Sequence, residues 1–398
     1  MHSGPRQRGH ILKDVHARGV AYEVVRRVFE EDAYADRAFR SLAEGLDERD
    51  RAFAMQLAYG TVQRVRPLDH AIESLGRRPV RKLDAPVRAA LRLGAYQLAF
   101  MDSVPPHAAA NESVELVRAA GLERAVAFTN AVMRRLGEGI GSLLDELSES
   151  TPQDAALMHS YPDWIAETWW REWGEEDALA LMRAQNEPPE RVLREPTGGL
   201  IAPWPQSLGS QLAGNAVGVQ PGERVLDLCA APGGKATQLA SLGAEVVAVE
   251  KHPGRARELE ENAARLGARL TVVNADALEL PAELGGFDRV LVDAPCSGLG
   301  VLNSRPDLRW RANPLPELQL DLMRAAVERT QPGGSITYSV CTIHQAENED
   351  VVDALELPVD DLGDEFPDFR HPRRPEVLLT LPHVHRTSGF FVARLRRP

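Results

Sequence analysis

The residues best suited to chemistry lie where predicted strands end. Asp293 and Cys296 follow one apolar, β-branched run, Cys341 follows another, and Glu250 and Asp276 each follow a further one. A cysteine thiolate is a nucleophile, and a carboxylate accepts hydrogen bonds from ribose hydroxyls or an adenine amino group. Most cysteines are inert buried thiols, but three acids and two cysteines at successive strand ends exceed what packing requires. These positions predict a reactive ligand site.

A glycine-containing loop precedes the other motifs. The apolar run Val225–Leu228 stops at Cys229-Ala230-Ala231-Pro232-Gly233-Gly234-Lys235, and a helix-favouring segment, 236–242, follows. Glycine lets the backbone pass close to a ligand, and a helix N-terminus offers free N–H groups. The loop matches neither G-x-G-x-x-G nor the phosphate-binding G-x-x-x-x-G-K-[ST] pattern. By itself it fits a tight strand-to-helix turn as well as a cofactor site.

The elements that position these residues alternate between strand and helix from Gly222 onward. The pattern predicts strands near 223–229, 245–250, 270–275, 288–293 and 334–340, with helices near 235–242, 254–266, 316–330 and 345–356. A final apolar pair, 376–381 and 389–395, predicts an antiparallel hairpin. Alternating strands and helices with buried β-branched strands indicate a parallel, doubly wound sheet, which binds ligands at the carboxyl ends of its strands.

The first part of the chain has a different periodicity. Apolar residues recur at helical spacing from about 15 to 137, which predicts a compact helical bundle. Residues 138–200 predict short helices and contain a tryptophan cluster, for which packing is favoured over base stacking: Trp169, Trp170 and Trp173.

Length and composition limit the class of protein. A chain of 398 residues predicts two or three domains, and its 43% hydrophobic content is ordinary for a globular protein. The N-terminus leads into no apolar signal core, and three cysteines in so long a chain read as reduced thiols, so we expect a cytoplasmic protein without a membrane segment. The net charge is −12, but residues 1–147 carry 22 Lys and Arg against 20 Asp and Glu. Local basic pairs therefore leave nucleic-acid binding open.

Several segments of the helical part resemble the NusB-type RNA-binding domain. They are Gly94-Ala95-Tyr96-Gln97-Leu98, Ala110-Asn111-Glu112-Ser113-Val114-Glu115 and Phe128-Thr129-Asn130-Ala131-Val132-Met133-Arg134-Arg135. The resemblance covers most of this half, whereas the periodicity alone indicates only an α bundle. It implies an all-α domain that binds RNA.

The strand-end motifs resemble those of the S-adenosylmethionine-dependent RNA cytosine-5 methyltransferases. The series is D-L-C-A-A-P-G-G-K at 227–235, V-A-V-E at 247–250, D-A-P-C-S-G at 293–298 and Y-S-V-C-T at 338–342. With a NusB-like first half, the chain resembles the RsmB (Sun/Fmu) family. The resemblance implies a Rossmann-like class I methyltransferase domain with a mostly parallel seven-stranded sheet, S-adenosyl-L-methionine as cofactor, and 16S ribosomal RNA carrying 5-methylcytidine as product.

The resemblance also implies a role for individual residues. Cys341 is the nucleophile that adds to C6 of the base, Cys296 assists proton removal and product release, and Asp293 hydrogen-bonds N3 and N4. We expect no metal site. The cofactor-binding residues implied are Cys229, Ala230, Ala231, Pro232, Gly233, Gly234, Lys235, Glu250, Asp276 and Asp293.

Two assignments rest on the residue types themselves. Lys235 fits a lysine that neutralises nearby carboxylates as well as a surface lysine at a helix start. The segment 304–311 carries residues suited to phosphate contact and base stacking, which is favoured over a plain charged loop: Arg305, Arg309, Trp310 and Arg311.

The predicted organisation has three parts. Residues 1–147 form the NusB-like helical domain, 148–205 a shortened helical linker that contacts RNA, and 206–398 the methyltransferase domain. We expect a monomer whose partner is small-subunit ribosomal RNA. Amino-nitrogen methylation is disfavoured, because it usually uses a strand-four Asp/Asn-Pro-Pro-aromatic motif. A non-catalytic RNA-binding or antitermination-type protein, or an RNA methyltransferase with another target, remains the alternative.

Overall fold

A computed structural model describes residues 17–398, and this part of the chain forms two compact units. The first unit holds the described residues up to Met182 together with Arg305–Trp310, and the second holds Arg183–Ser304 together with Arg311–Pro398. Residues 1–16 lie outside the described part of the chain. They include the start of the predicted helical domain and the N-terminal stretch in which no apolar signal core was found. The division falls inside the predicted linker 148–205, so most of that segment belongs with the first unit.

The first unit is helical throughout the predicted bundle. Its core consists largely of Ala, Val and Leu side chains that are fully buried. Its helices are α1 Ala17–Glu30, α2 Ala35–Leu42, α3 Glu48–Gln63, α4 Val65–Gly76, α5 Ala85–Phe100, α6 Pro106–Ala119, α7 Glu123–Asp145, α8 Pro152–His159, α9 Asp163–Trp173 and α10 Glu175–Ala184.

Local signals set the helix starts and the packing distances in this unit. The Asp47 side chain accepts a hydrogen bond from the backbone N–H of Asp50 at 2.8 Å and thereby caps α3. Helices α3 and α5 approach closely at Gly60, where a Cβ atom would lie 2.1 Å from the Tyr96 ring. Glycine at this position therefore permits the helices to pack, although it is a poor helix former.

The second unit is built on one large sheet, and it confirms the predicted α/β class. The elements that follow in chain order are β1 Leu193–Arg194, β2 Trp204–Pro205, α11 Leu208–Asn215, β3 Arg224–Asp227, α12 Gly234–Ser241, β4 Glu245–Val249, α13 Pro253–Leu266, β5 Leu270–Val273, β6 Phe287–Asp293, α14 Leu308–Arg311, α15 Pro316–Arg329, β7 Thr330–Val340, α16 Glu349–Asp353, α17 Leu362–Glu365, β8 Leu378–Thr380, α18 Pro382–His385 and β9 Phe390–Arg396. Of these, α14 lies almost entirely in the part of the chain assigned to the first unit.

The large sheet has seven strands in the order β5-β4-β3-β6-β7-β9-β8. Strands β3 to β7 pair in parallel, while β9 pairs antiparallel with both β7 and β8, so the predicted final hairpin is confirmed. The chain runs outward from β3 through β4 to β5, then returns to β6 on the other side of β3. This reversal opens a crevice at the carboxyl ends of β3 and β6, where ligands of doubly wound sheets bind.

Across residues 17–398, none of the helices is both long enough and apolar enough to cross a membrane.

Candidate active site

Parallel pairing brings the predicted site residues to one edge of the sheet. Asp227 ends β3, Glu250 follows β4, Asp293 ends β6 and Cys341 follows β7. The register places Asp227 beside Ala248 and Asp293 beside Ser339, so neighbouring strands end at similar heights. Groups that are up to 114 positions apart in the chain therefore face the same crevice.

Gly233 and the first turn of α12 shape the loop after β3. Gly233 has a φ of +110°, and a Cβ atom there would lie 2.6 Å from Leu259 Cδ1. Glycine removes both the strain and the clash. The Thr237 hydroxyl donates to the Gly233 carbonyl at 2.7 Å and ties the loop to the first turn of the helix.

Asp227 is a site residue that the sequence analysis did not single out. Its side chain is 1% exposed, and burial, aided by the nearby Asp293 charge, raises its pKa to about 7 from 3.8. One carboxylate oxygen accepts from the Cys229 N–H at 3.4 Å, while Oδ2 has no hydrogen-bond partner within residues 17–398. The only sequence signal was the position of Asp227 directly before the glycine loop. A buried acceptor without a partner at a strand end marks a site for a donor or a cation.

Glu250 and Asp276 occupy the neighbouring strand ends but differ in environment. Glu250 is 4% exposed, and its Oε1 accepts from the His252 N–H at 2.8 Å. Asp276 is more open, and the ammonium of Lys251, 2.6 Å from Oδ2, lowers its carboxyl pKa. Glu250 and Asp276 both keep carboxylate oxygens at the edge of the sheet where the sequence predicts the cofactor.

Lys235 is buried within the second unit. This favours the interpretation of Lys235 as a lysine that neutralises nearby carboxylates over that of a surface lysine at a helix start. Its ammonium is 2.8 Å from Asp293 Oδ2, and its side chain is 8% exposed. The Ser339 hydroxyl donates to Asp293 Oδ1 at 3.0 Å. Asp293 is therefore held on both oxygens, from the helix after β3 and from the neighbouring strand β7. Ser339 was missed by the sequence analysis, although it lies in the Tyr338–Thr342 motif.

The two motif cysteines form a pair. Cys296 Sγ and Cys341 Sγ are 3.4 Å apart, and both side chains are partly exposed. The hydrogen bond from Cys296 lowers the pKa of Cys341, and the positive charge of Lys235 acts in the same direction. The hydrogen bond to Cys341 and burial raise the pKa of Cys296. The arrangement thus favours a thiolate on Cys341 and a thiol on Cys296.

Cys229, the third cysteine, differs from this pair. Burial raises the pKa of its thiol well above the ordinary value. Its backbone N–H, rather than its sulfur, is engaged with Asp227. The structure therefore gives this cysteine the character of a packed, protonated thiol.

Arg194, in the shortened segment, supports the glycine loop and was also missed. Its guanidinium donates to the carbonyl of Gly234, to Thr237 Oγ1 at 2.9 Å and to Gln206 Oε1 at 2.7 Å. Burial lowers the pKa of Arg194 to about 10. The short β1–β2 hairpin is enough to place this arginine under the start of α12.

Two of the predicted RNA contacts, Arg309 and Trp310, make contacts inside the first unit. Arg309 is 1% exposed, its guanidinium lies 4.1 Å from the Tyr161 ring centroid, and it donates to the Ser160 carbonyl at 3.1 Å. The Trp310 indole N–H donates to the Val62 carbonyl at 2.8 Å. Both side chains are used within the first unit, because cationic and aromatic groups suited to RNA also suit carbonyls and a helical core.

The other two predicted RNA contacts remain partly accessible. Arg305 is 31% exposed, and its guanidinium lies 3.3 Å from Asp36 Oδ1 in the first unit. Arg311 is half-buried and belongs to the second unit.

Sequence models of two families match the chain. The model described as 16S rRNA methyltransferase RsmB/F matches residues 215–396, and that of the NusB family matches residues 15–138. The first match contains the glycine loop, both cysteines and all the strand-end acids. The second contains most of the helical bundle, as the sequence resemblance implied.

Relatives match along nearly the whole chain. The probable ribosomal RNA small subunit methyltransferase B of Synechocystis sp. is 33% identical over 450 residues, covering 96% of this chain and 100% of the relative. The ribosomal RNA small subunit methyltransferase B of Thermus thermophilus is 34% identical over 391 residues, covering 88% and 89%.

A solved structure shares the fold over the same extent. The crystallised protein PH0851 has a TM-score of 0.78 at 22% identity, covering 96% of this chain and 99% of that one. At this identity the likeness concerns the fold alone. The full-length relatives and the family match over the site identify the chain itself: it belongs to the RsmB/F family of ribosomal RNA small subunit methyltransferases, with a NusB-family domain at its start.

Proposed function

We propose that this protein transfers a methyl group from S-adenosyl-L-methionine to C5 of a cytidine in 16S ribosomal RNA through a covalent cysteine–C6 intermediate. The observation that carries the proposal is the cysteine pair, with sulfurs 3.4 Å apart beside the Lys235–Asp293 ion pair. Amino-nitrogen methylation needs neither cysteine. A non-catalytic RNA-binding role would leave this arrangement of buried charges and thiols without use.

The residues at the strand ends fit the cofactor. S-adenosylmethionine supplies an electrophilic methyl group on a sulfonium sulfur. Asp227 offers a buried carboxylate oxygen without a partner in the described chain, which suits the cationic part of this molecule. Glu250 offers carboxylate oxygens to ribose hydroxyls, and Asp276 offers an acceptor to the adenine amino group. The 229–235 loop exposes backbone groups at a helix start, against which the cofactor would lie.

Cys341 begins the chemistry on the base. Its thiolate adds to C6, forming the S–C6 bond and moving the C5–C6 π electrons to C5, which then accepts the methyl group. Asp293, held by Lys235 and Ser339, accepts hydrogen bonds from the N4 amino group and from N3 once addition has made N3 protonated, which stabilises the adduct and favours this addition. Without a thiolate addition, C5 of cytosine is a poor nucleophile.

Cys296 acts in the release of the product. After methyl transfer the proton on C5 must leave, the C5–C6 double bond re-forms and the S–C6 bond breaks. Cys296 lies beside the Cys341 sulfur and faces the same crevice, so its thiol gives its proton to the departing Cys341 sulfur and takes up the C5 proton in return. We propose that the protein acts as a monomer in the cytoplasm.

The test incubates the protein with methyl-labelled cofactor and unmodified 16S ribosomal RNA, followed by nucleoside analysis. The expected product is 5-methylcytidine. Cys341→Ala should abolish methyl transfer and form no adduct, whereas Cys296→Ala should accumulate a protein–RNA adduct that survives denaturing electrophoresis. An adduct with Cys341→Ala instead would reverse the two roles. Full activity of both variants would rule out the covalent mechanism.

A further inference from the structure

Glu347 is a fully buried carboxylate behind the cysteine pair. It ends the short 3-10 helix Gln345–Glu347, and its side chain is 0% exposed. Its Oε1 accepts hydrogen bonds from the Ser297 N–H at 2.9 Å, the Leu315 N–H at 3.1 Å and the Gln319 amide at 2.9 Å. The Ser297 hydroxyl donates to its Oε2. A buried carboxylate is tolerated when its oxygens are met in this way.

These contacts converge on the loop that carries Cys296. Ser297, the next residue, is held by Glu347 through both its N–H and its hydroxyl. The preceding residue, Pro295, is held indirectly, because the Gln319 amide also donates to its carbonyl at 2.9 Å. Cys296 is thus anchored on both sides by donors that share one carboxylate.

The same glutamate is also tied to the strand that carries Cys341. The Tyr338 hydroxyl, on β7, donates to the Glu347 backbone carbonyl at 2.6 Å. The hydroxyls of Ser297 and Thr342 are 2.9 Å apart, so the residues after each cysteine contact one another. Glu347 therefore joins the Cys296 loop, the first turn of α15 and the end of β7.

We propose that Glu347 is a positioning residue that holds the Cys296 thiol beside the Cys341 sulfur during product release. The inference rests on the proposed function, since it assumes that Cys296 assists elimination. Glu347 touches neither sulfur through a hydrogen bond and acts through Ser297 and the Gln319–Pro295 contact. Its negative charge also contributes to the raised pKa of Cys296, which keeps that thiol protonated.

The test compares Glu347→Ala, Glu347→Gln and Cys296→Ala in the full chain. Glu347→Ala removes both carboxylate oxygens, which accept the hydrogen bonds from Ser297, Leu315 and Gln319, so the Cys296 loop loses its anchor. We expect kcat to fall about 10- to 100-fold, the scale for misplacing a catalytic group by about 1 Å. A denaturation-resistant protein–RNA adduct should accumulate, while calorimetric cofactor affinity stays within about twofold, because the cofactor loop is untouched.

Glu347→Gln tests whether the loss of activity in Glu347→Ala comes from the lost hydrogen bonds or from a folding defect. The amide oxygen still accepts the three N–H groups, and the Ser297 hydroxyl can turn to accept from the new NH₂ and donate to Thr342. Activity should therefore recover most of the loss, without adduct. A glutamine variant as defective as the alanine variant would overturn positioning by these hydrogen bonds.

Glu349→Ala is the matched control. Glu349 is a half-buried carboxylate two residues further on that pairs with His371 at 2.9 Å and makes no contact with the Cys296 loop. The Glu349→Ala variant should be less stable than the wild type, but it should not accumulate the protein–RNA adduct. Adduct in this control as well would mean that any damage to the segment traps the intermediate, which would overturn the inference.

The remaining outcomes are distinguishable. If Glu347→Ala does not fold, Gln319→Leu, which cuts the tether to Pro295, must accumulate adduct, and its failure to do so overturns the inference. Adduct with Cys296→Ala but none with Glu347→Ala refutes the role of Glu347 and leaves the proposed function intact. No adduct with Cys296→Ala refutes the proposed release step and the inference together.

Discussion

The buried carboxyl group of Asp227 makes the stability of this protein fall as pH rises, which is the reverse of the usual effect of an aspartate. Asp227 is 1% exposed, and its folded-state pKa is raised to about 7, whereas in an unfolded chain it stays near 3.8. Between these two values the folded protein keeps a proton that the unfolded chain has released. Asp227→Asn removes this titration and keeps the shape and the oxygen that accepts from the Cys229 N–H.

The magnitude follows from linkage. A raised folded-state pKa gives stability that is fully present below the unfolded value and is lost as pH rises through the folded value. The raised pKa spans about three pH units, and each unit corresponds to about 1.4 kcal/mol, so the wild type loses about 4 kcal/mol between pH 4 and pH 7. Relative to the wild type, the asparagine variant should gain about that much by pH 7 and no more above it.

Urea unfolding at pH 4.5 to 8.5, followed by circular dichroism, measures this difference. Asp276→Asn is the control, because Lys251 lowers the pKa of Asp276, and its contribution is lost as pH falls rather than as pH rises. That loss occurs below about pH 4, so the difference between this control and the wild type should stay nearly constant from pH 4.5 to 8.5. A constant difference between Asp227→Asn and wild type across the range would refute the reasoning, since it would mean that Asp227 does not titrate there.

Three further outcomes are expected. Glu250→Ala should weaken cofactor binding by about 1–3 kcal/mol, the scale of hydrogen bonds lost at a buried polar site; unchanged affinity by calorimetry would contradict its assignment. Arg309→Met should lower the free energy of unfolding by about 1–3 kcal/mol, because the Ser160 carbonyl loses its buried donor; an unaltered urea midpoint would speak against this packing role. Replacing the exposed Arg81 and Lys82 by Gln should reduce the salt slope of 16S ribosomal RNA binding by about 2 if both contact phosphate, and an identical slope would exclude these contacts.

The strands of the second unit were predictable because each is a short, buried, β-branched run. Val225 and Leu226 in β3 are fully buried, as are Val290 to Val292 in β6. Such runs have one favourable placement, the interior of a parallel sheet, so local sequence and global fold agree. The helical bundle was predictable for the same reason, since its apolar spacing has a single period.

The contacts behind the site were not predictable in this way. Glu347 reads as a polar residue near a helix start, yet it is buried against Ser297, 50 positions earlier in the chain. Arg309 reads as an RNA contact because nothing in its neighbours distinguishes a guanidinium that stacks on Tyr161 from one that binds phosphate. Contacts between residues so far apart in the chain depend on which strands become neighbours in the sheet. The residues around either partner do not contain this information.

The sequence by itself determined the element types, the family and the positions of the motifs at strand ends, because periodicity and turn residues act over a few neighbouring residues. Only the tertiary structure decided which groups share an environment. The strand order brings the thiols of Cys296 and Cys341 to 3.4 Å, and it buries Asp227 and Lys235 near Asp293. Burial and proximity set the pKa of each group, and both arise from packing between distant segments rather than from the residues beside each group in the chain.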